Sequence, residues 1–155
     1  MSIAALERLE AIEAITALKA RYFRLLDTKD WASFRALFTD DMVFYFESDA
    51  PKVRSGDEFV AFVRVRLATA TTVHQGHMPE IELLSASTAR GTWAMFDWVD
   101  DPDQNRAFQG FGHYRELYRR DADGTWRIAE LRLSRIRVDE VEPSRAQTTS
   151  TPSPR

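Results

Sequence analysis

Hydrophobic residues near the start of the chain recur at spacings of three and four. Leu6, Leu9, Ile12, Ile15, Leu18, Tyr22 and Leu25 fall on one stripe, which predicts a long amphipathic helix over residues 3–26. The polar stretch Asp27-Thr28-Lys29-Asp30 follows. Asp30 is suited to cap a short second helix that carries Trp31, Phe34, Leu37 and Phe38 on one side. Residues 42–47 are short, aromatic-rich and preceded by the polar Thr39-Asp40-Asp41, which reads as a strand. A third helix is expected to start near Ser55-Gly56-Asp57 and to run through Phe59, Phe62, Val63 and Leu67.

After Ala70 the pattern changes to alternation, and strands are expected at 71–77, 80–84, 88–99, 108–120 and 125–138. A polar loop containing Pro102 spans 100–106. Asp121-Ala122-Asp123-Gly124 forms a hairpin turn with glycine where positive φ is required. Beyond Asp139 the chain turns to Ser, Thr, Pro and Gln, with almost nothing to bury. The expected organisation is one domain over 1–140 and a disordered tail over 141–155. Three helices followed by a meander predict an α+β fold, with the helices packed on one face of a strongly curved, mostly antiparallel sheet. Such a cone has an apolar interior, the usual kind of small-molecule site.

Composition narrows the function classes. At 155 residues and 44% hydrophobic, the chain suffices for one sizeable core, and ten Phe, four Trp and four Tyr should dominate that core or line a pocket. Twenty-one basic against 24 acidic residues leave a net charge of −3, which gives no footing for nucleic-acid binding. The eighteen arginines alternate closely with Asp and Glu, as on a solvated face. Without cysteine there is no disulfide, thiol nucleophile or thiolate metal site. No apolar run approaches the about 20 residues of a membrane span. The acidic, amphipathic residues 1–10 do not resemble a signal peptide, so a cytoplasmic protein is expected.

Chemistry could come from three histidines, His74, His77 and His113. In a regular strand His74 and His77 point to opposite faces, so they should not share a metal, which needs several convergent ligands. No metal and no cofactor are expected. His74 alone could be a satisfied core histidine. Asp27, at the end of the first helix, could be a helix terminator or a carboxylate that reaches the mouth of the cone. Beside an imidazole it would fix the tautomer and raise the basicity of a general base. Tyr22, on the buried stripe, needs a partner for its hydroxyl. Asp97 shares a strand face with Trp93 and Met95, and Arg135 shares one with Leu131 and Leu133. Charges in that company are either paired with one another or functional. The opposite face carries Phe96 and Trp98, which suggests a subunit interface.

Arg21-Tyr22-Phe23-Arg24-Leu25-Leu26-Asp27, His74-Gln75-Gly76-His77-Met78-Pro79-Glu80-Ile81 and Asp123-Gly124-Thr125-Trp126-Arg127-Ile128 are the most telling stretches. Over about residues 5–140 the chain resembles the SnoaL-like branch of the nuclear transport factor 2-like superfamily. It is most similar there to the cofactor-free lyases of the bile-acid 7α-dehydratase, scytalone dehydratase and hexachlorocyclohexane dehydrochlorinase types. The resemblance implies a cone-shaped α+β barrel, assembled as a homodimer or homotrimer through the outer sheet face. It implies catalytic roles for His74, Asp27, Tyr22, Asp97 and Arg135, with Trp93, Met95, His113 and Leu133 as substrate-binding residues. His113 stands where the bile-acid enzyme carries an aromatic residue, and the 100–106 loop is strongly acidic; both leave the substrate open. The expected function is dehydratase-type elimination on a hydrophobic, cyclic or polyketide/steroid-like carbonyl compound. An isomerase or aldol-type cyclase with the same base, and a non-catalytic small-molecule-binding module, are the alternatives.

Overall fold

The computed structural model describes residues 4–144. Helix α1 (Ala5–Asp27) buries Ile15, Leu18, Tyr22, Leu25 and Leu26. Leu6 and Leu9, expected on the same stripe, are exposed. Asp30 caps α2 (Trp31–Arg35), accepting from the Ser33 amide at 3.1 Å. This helix is shorter than expected. Leu37 already bonds β5 through its carbonyl, and Phe38 opens strand β1 (Phe38–Phe46). Ser55 caps α3 (Gly56–Arg66), whose acidic first turn and basic last turn both suit the helix dipole.

The remaining strands are β2 (Thr71–Leu83), β3 (Thr88–Asp101), β4 (Arg106–Arg120) and β5 (Trp126–Glu140). The two strands expected at 71–77 and 80–84 are one. Pairing with β3 skips from His77 to Glu80, and the bulge at Met78-Pro79 absorbs a proline that has no N–H to give. Likewise the loop expected at 100–106 shrinks to a single turn, Pro102–Gln104, closed by Asn105 in the left-handed region. The Asp121–Gly124 hairpin turn forms as expected, with Gly124 at φ 81°.

The sheet order is β1-β5-β4-β3-β2. All neighbours are antiparallel except β1 and β5, which run parallel, so the sheet is mixed. It stays open rather than closing into a barrel, since β1 and β2 are its two edges. The three helices cover one face, where Phe34, Phe38, Phe44 and Phe59 interlock with Tyr22. Of the expected tail, residues 141–144 are described and lie against the sheet. The Val141 amide donates to Ala107 and the Ser144 amide to the Asp100 carboxylate. Residues 145–155 lie outside the described residues.

Candidate active site

Between the helices and the sheet lies a cavity of about 370 Å³. Its walls are mainly apolar, with Leu26, Phe44, Phe46, Phe62, Val99 and Leu131 among them. Into it face Tyr22 from α1, His74 from β2, Asp97 from β3, Tyr114 from β4 and Arg135 from β5. Three of these follow from register. His74 lies opposite Asp97 and Asp97 opposite Gly110, while Arg135, opposite Gly112 two residues along β4, reaches back to Asp97 and extends the row.

At one end of that row His74 meets the last residue of α1. Its Nδ1 lies 2.7 Å from Asp27 Oδ1, and its own backbone amide donates to Asp27 Oδ2 at 2.9 Å. The Thr72 hydroxyl donates to Asp27 Oδ1 at 2.8 Å, and Lys29 Nζ donates to Thr72 at 3.4 Å. An ionised carboxylate only accepts, so the proton of a neutral His74 sits on Nδ1 and Nε2 keeps its lone pair. Nε2 has no hydrogen-bond partner among the described residues.

At the other end Arg135 grips Asp97 through two parallel bonds, Nη1 to Oδ1 at 2.8 Å and Nη2 to Oδ2 at 2.5 Å. Both groups are nearly buried, so the pair neutralises charges that neither could carry there alone. The ion pair lies over Gly110. A Cβ at that position would come within 1.5 Å of Arg135 Nη1 and 2.1 Å of Asp97 Oδ1, which is why the strand has glycine there.

Tyr22 and Tyr114 complete the polar lining. Neither hydroxyl has a hydrogen-bond partner among the described residues. Burial pushes both phenols well above their ordinary value of 10, reinforced for Tyr22 by Glu116, Asp27 and Asp97. At neutral pH both are hydrogen-bond donors without an acceptor among the described residues. Behind them lies the fully buried Lys19, 4.0 Å from the centre of the Tyr22 ring and 3.8 Å from that of Tyr114. Lys19 pairs with the buried Glu116, which also accepts from Tyr118, whose hydroxyl in turn accepts from Trp93 Nε1 at 2.8 Å.

This arrangement brings together Tyr22, Asp27, His74, Asp97 and Arg135, with Leu133 on the wall. Trp93 and Met95, expected to touch substrate, do not line the cavity. Trp93 is tied into the Tyr118 network, and Met95 is buried between Gly76 and Gly112 in the sheet register. His113 does not face the cavity either, since it falls on the outer side of β4 with Phe111 and Arg115. His77 is exposed on the outer side of β2, opposite in direction to His74. Among the described residues no three His, Asp or Glu side chains gather as for a metal ion. Tyr114, Lys19 and Glu116 were missed from sequence, though position 19 follows Ile15 by one turn on the buried stripe. Tyr114 and Glu116 likewise share the inward parity of Gly110 and Gly112.

A SnoaL-like domain profile matches residues 7–132. The chain belongs to the SnoaL-like domain family. Solved structures support the same fold. A hexachlorocyclohexane dehydrochlorinase (LinA, type 2) aligns over 96% of this chain and 100% of its own, at TM-score 0.80 and 17% identity. A scytalone dehydratase-like protein from Novosphingobium aromaticivorans covers 95% and 98%, at TM-score 0.79 and 16% identity. ActVI-ORFA from Streptomyces coelicolor covers 82% and 98%, at TM-score 0.69 and 14% identity. At such identities the likeness is one of fold, and function has to be argued from the site of this SnoaL-like chain.

Proposed function

We propose that this SnoaL-like protein is a cofactor-independent lyase that eliminates water from a hydrophobic β-hydroxy carbonyl compound. The observation that carries this reading is the Asp27–His74 contact of 2.7 Å, with His74 on the cavity wall and its Nε2 without a partner among the described residues. In the reaction His74 Nε2 removes the proton α to the carbonyl, and Asp27 holds the ring and stabilises the imidazolium. The electron pair moves onto the carbonyl oxygen, where the Tyr22 and Tyr114 hydroxyls donate to the oxyanion. As the pair returns to form the C=C bond, the β-hydroxyl leaves with the proton held by the imidazolium, giving water. The Asp97–Arg135 pair orients the substrate beside this row. Dehydratases and dehydrochlorinases among the fold's neighbours are consistent with elimination chemistry on such a scaffold.

An isomerase or cyclase would use the same base. What favours it as a second reading is the pair of neutral phenol donors, which suits an enolate whether or not a group departs. A mere binding module would need no base, and it predicts ligand binding without α-proton exchange.

The test is α-proton exchange on a panel of cyclic β-hydroxy ketones in deuterated water, followed by NMR. Wild type is expected to exchange and dehydrate one class of these compounds. His74→Ala is expected to retain its circular-dichroism spectrum and to lose about 10²- to 10⁴-fold in rate. Exchange without loss of water would move the assignment to isomerase or cyclase. Unfolding of His74→Ala, with no exchange by wild type, would make His74 a structural residue and sink the lyase reading.

A further inference from the structure

The cavity wall also carries two guanidiniums that form no ion pair among the described residues. Arg66, in the last turn of α3, has its guanidinium carbon 4.2 Å from the centre of the Phe62 ring, one helical turn earlier. Arg106, the first residue of β4, lies 5.6 Å from the Phe108 ring, two residues on. All four line the cavity, and both arginines are exposed, which sets them at its mouth. The two come together across the opening, where Arg106 Nη2 donates to the Arg66 carbonyl at 3.5 Å.

No carboxylate among the described residues lies within 4.0 Å of either guanidinium. Seven other arginines do have one, namely Arg35, Arg90, Arg119, Arg127, Arg132, Arg135 and Arg137. The nearby acids are bonded elsewhere: Asp97 to Arg135, Asp27 to Thr72 and His74, and Asp101, the cross-strand neighbour of Arg106, to Thr69 and Gln104. Two guanidiniums without a carboxylate in direct contact, at the rim of a mainly apolar cavity, keep N–H donors free for an anionic group. Each lies against an aromatic side chain of the wall, a contact that holds the group without using up its N–H donors.

We infer that the substrate is an amphiphilic anion: an apolar ring system enters the cavity, and a carboxylate or phosphate on it stays at the lip, held by Arg66 and Arg106. The inference rests on the cavity being the substrate site, and it adds the class of molecule and its direction of entry. The anion at the mouth fixes which end of the ring system reaches His74.

A matched pair of fluorescent probes tests it without the natural substrate. Anilinonaphthalene sulfonate carries an anion, and phenylnaphthylamine has the same rings without it. Wild type is expected to bind the sulfonate about tenfold more tightly than the neutral probe. The two should displace each other, and the gap should narrow in high salt. In Arg66→Gln/Arg106→Gln the sulfonate is expected to fall to the affinity of the neutral probe, with the neutral probe and the circular-dichroism spectrum unchanged. Competition by naphthoate and by naphthyl phosphate then tells which anion the lip prefers.

Equal affinities in wild type, a gap that survives in the double variant, or probes that do not displace each other would overturn the anion site. In each of those cases a neutral probe that still binds leaves the cavity standing as a substrate site. A neutral probe that fails to bind wild type at all would overturn both.

Discussion

The Asp27 carboxylate accepts from the Thr72 hydroxyl, the His74 amide and His74 Nδ1, and both its oxygens are used. An amide at this position has one accepting oxygen, so it would turn an NH₂ group toward one of these donors. Asp27→Asn is therefore expected to lose the fixed tautomer and the charge that stabilises the imidazolium. The rate of α-proton exchange should drop by about 10²-fold or more, while urea denaturation registers a loss of about 1–2 kcal/mol. Fold retained with full exchange activity would remove Asp27 from the mechanism. At this scale the sequence was informative about residue types and faces. Tyr22 sits on the buried stripe, and Asp97 and Arg135 fall among inward apolar neighbours. It was misleading about Trp93 and Met95, which share the face of Asp97 yet are packed into the core beyond the cavity. Alternation tells which side of a sheet a residue occupies, and not whether that side is open or filled there.

Helix α1 is joined to strand β4 by a fully buried charge pair, Lys19 with Glu116. Burial lowers the Lys19 ammonium from its ordinary value, and Glu116 opposes that shift. Removing one partner leaves an uncompensated charge in the core, whereas removing both leaves a neutral gap. Lys19→Met is expected to destabilise the protein by about 3–5 kcal/mol in urea titration. Adding Glu116→Gln to it should recover a measurable part of that loss. A double variant no more stable than the single one would mean that Lys19 contributes packing rather than charge. Most elements were legible from periodicity, including all three helices and the late antiparallel meander. The junctions were less so, because α2 gives way to β1 once Leu37 pairs with β5, and β2 runs on through a bulge that a proline conceals. Both outcomes depend on the neighbouring strand, which local pattern does not contain.

Across the whole molecule, surface ion pairs join helix to helix, helix to sheet and strand to strand. Arg35 of α2 binds Asp57 of α3 at 2.7 Å and Asp40 of β1 at 2.5 Å, and Arg119 of β4 binds Asp41 of β1. Hydrogen bonds from Arg35 and Arg119 hold the Asp57 and Asp41 carboxyls below their ordinary value of 3.8. A carboxyl depressed in the folded state binds its proton more readily in the unfolded chain. The stability it contributes is therefore present above the ordinary value and is lost as pH falls through the folded one. The melting temperature is expected to hold steady above about pH 5 and to fall as the medium is acidified below about pH 4. Asp57→Asn should flatten that fall slightly, since an exposed pair contributes little. A melting temperature unchanged into strong acid would show that these pairs do not couple to folding.

Periodicity, glycine and proline placement and the absence of cysteine were enough, read along the chain, to set the α+β class and the inward faces. They also set the exclusion of thiol chemistry. These are local properties, written in spacings of two to four residues. Only the tertiary structure decided that β1 joins β5 in parallel, that the sheet stays open, and that Asp27 meets His74 across 47 residues. It alone paired Lys19 with Glu116 across 97 residues and set Arg66 and Arg106 at the cavity mouth with no ion-pair partner among the described residues. A buried charge is tolerated only where a partner is brought to it, and that partner is chosen by strand register and helix packing rather than by neighbours in sequence.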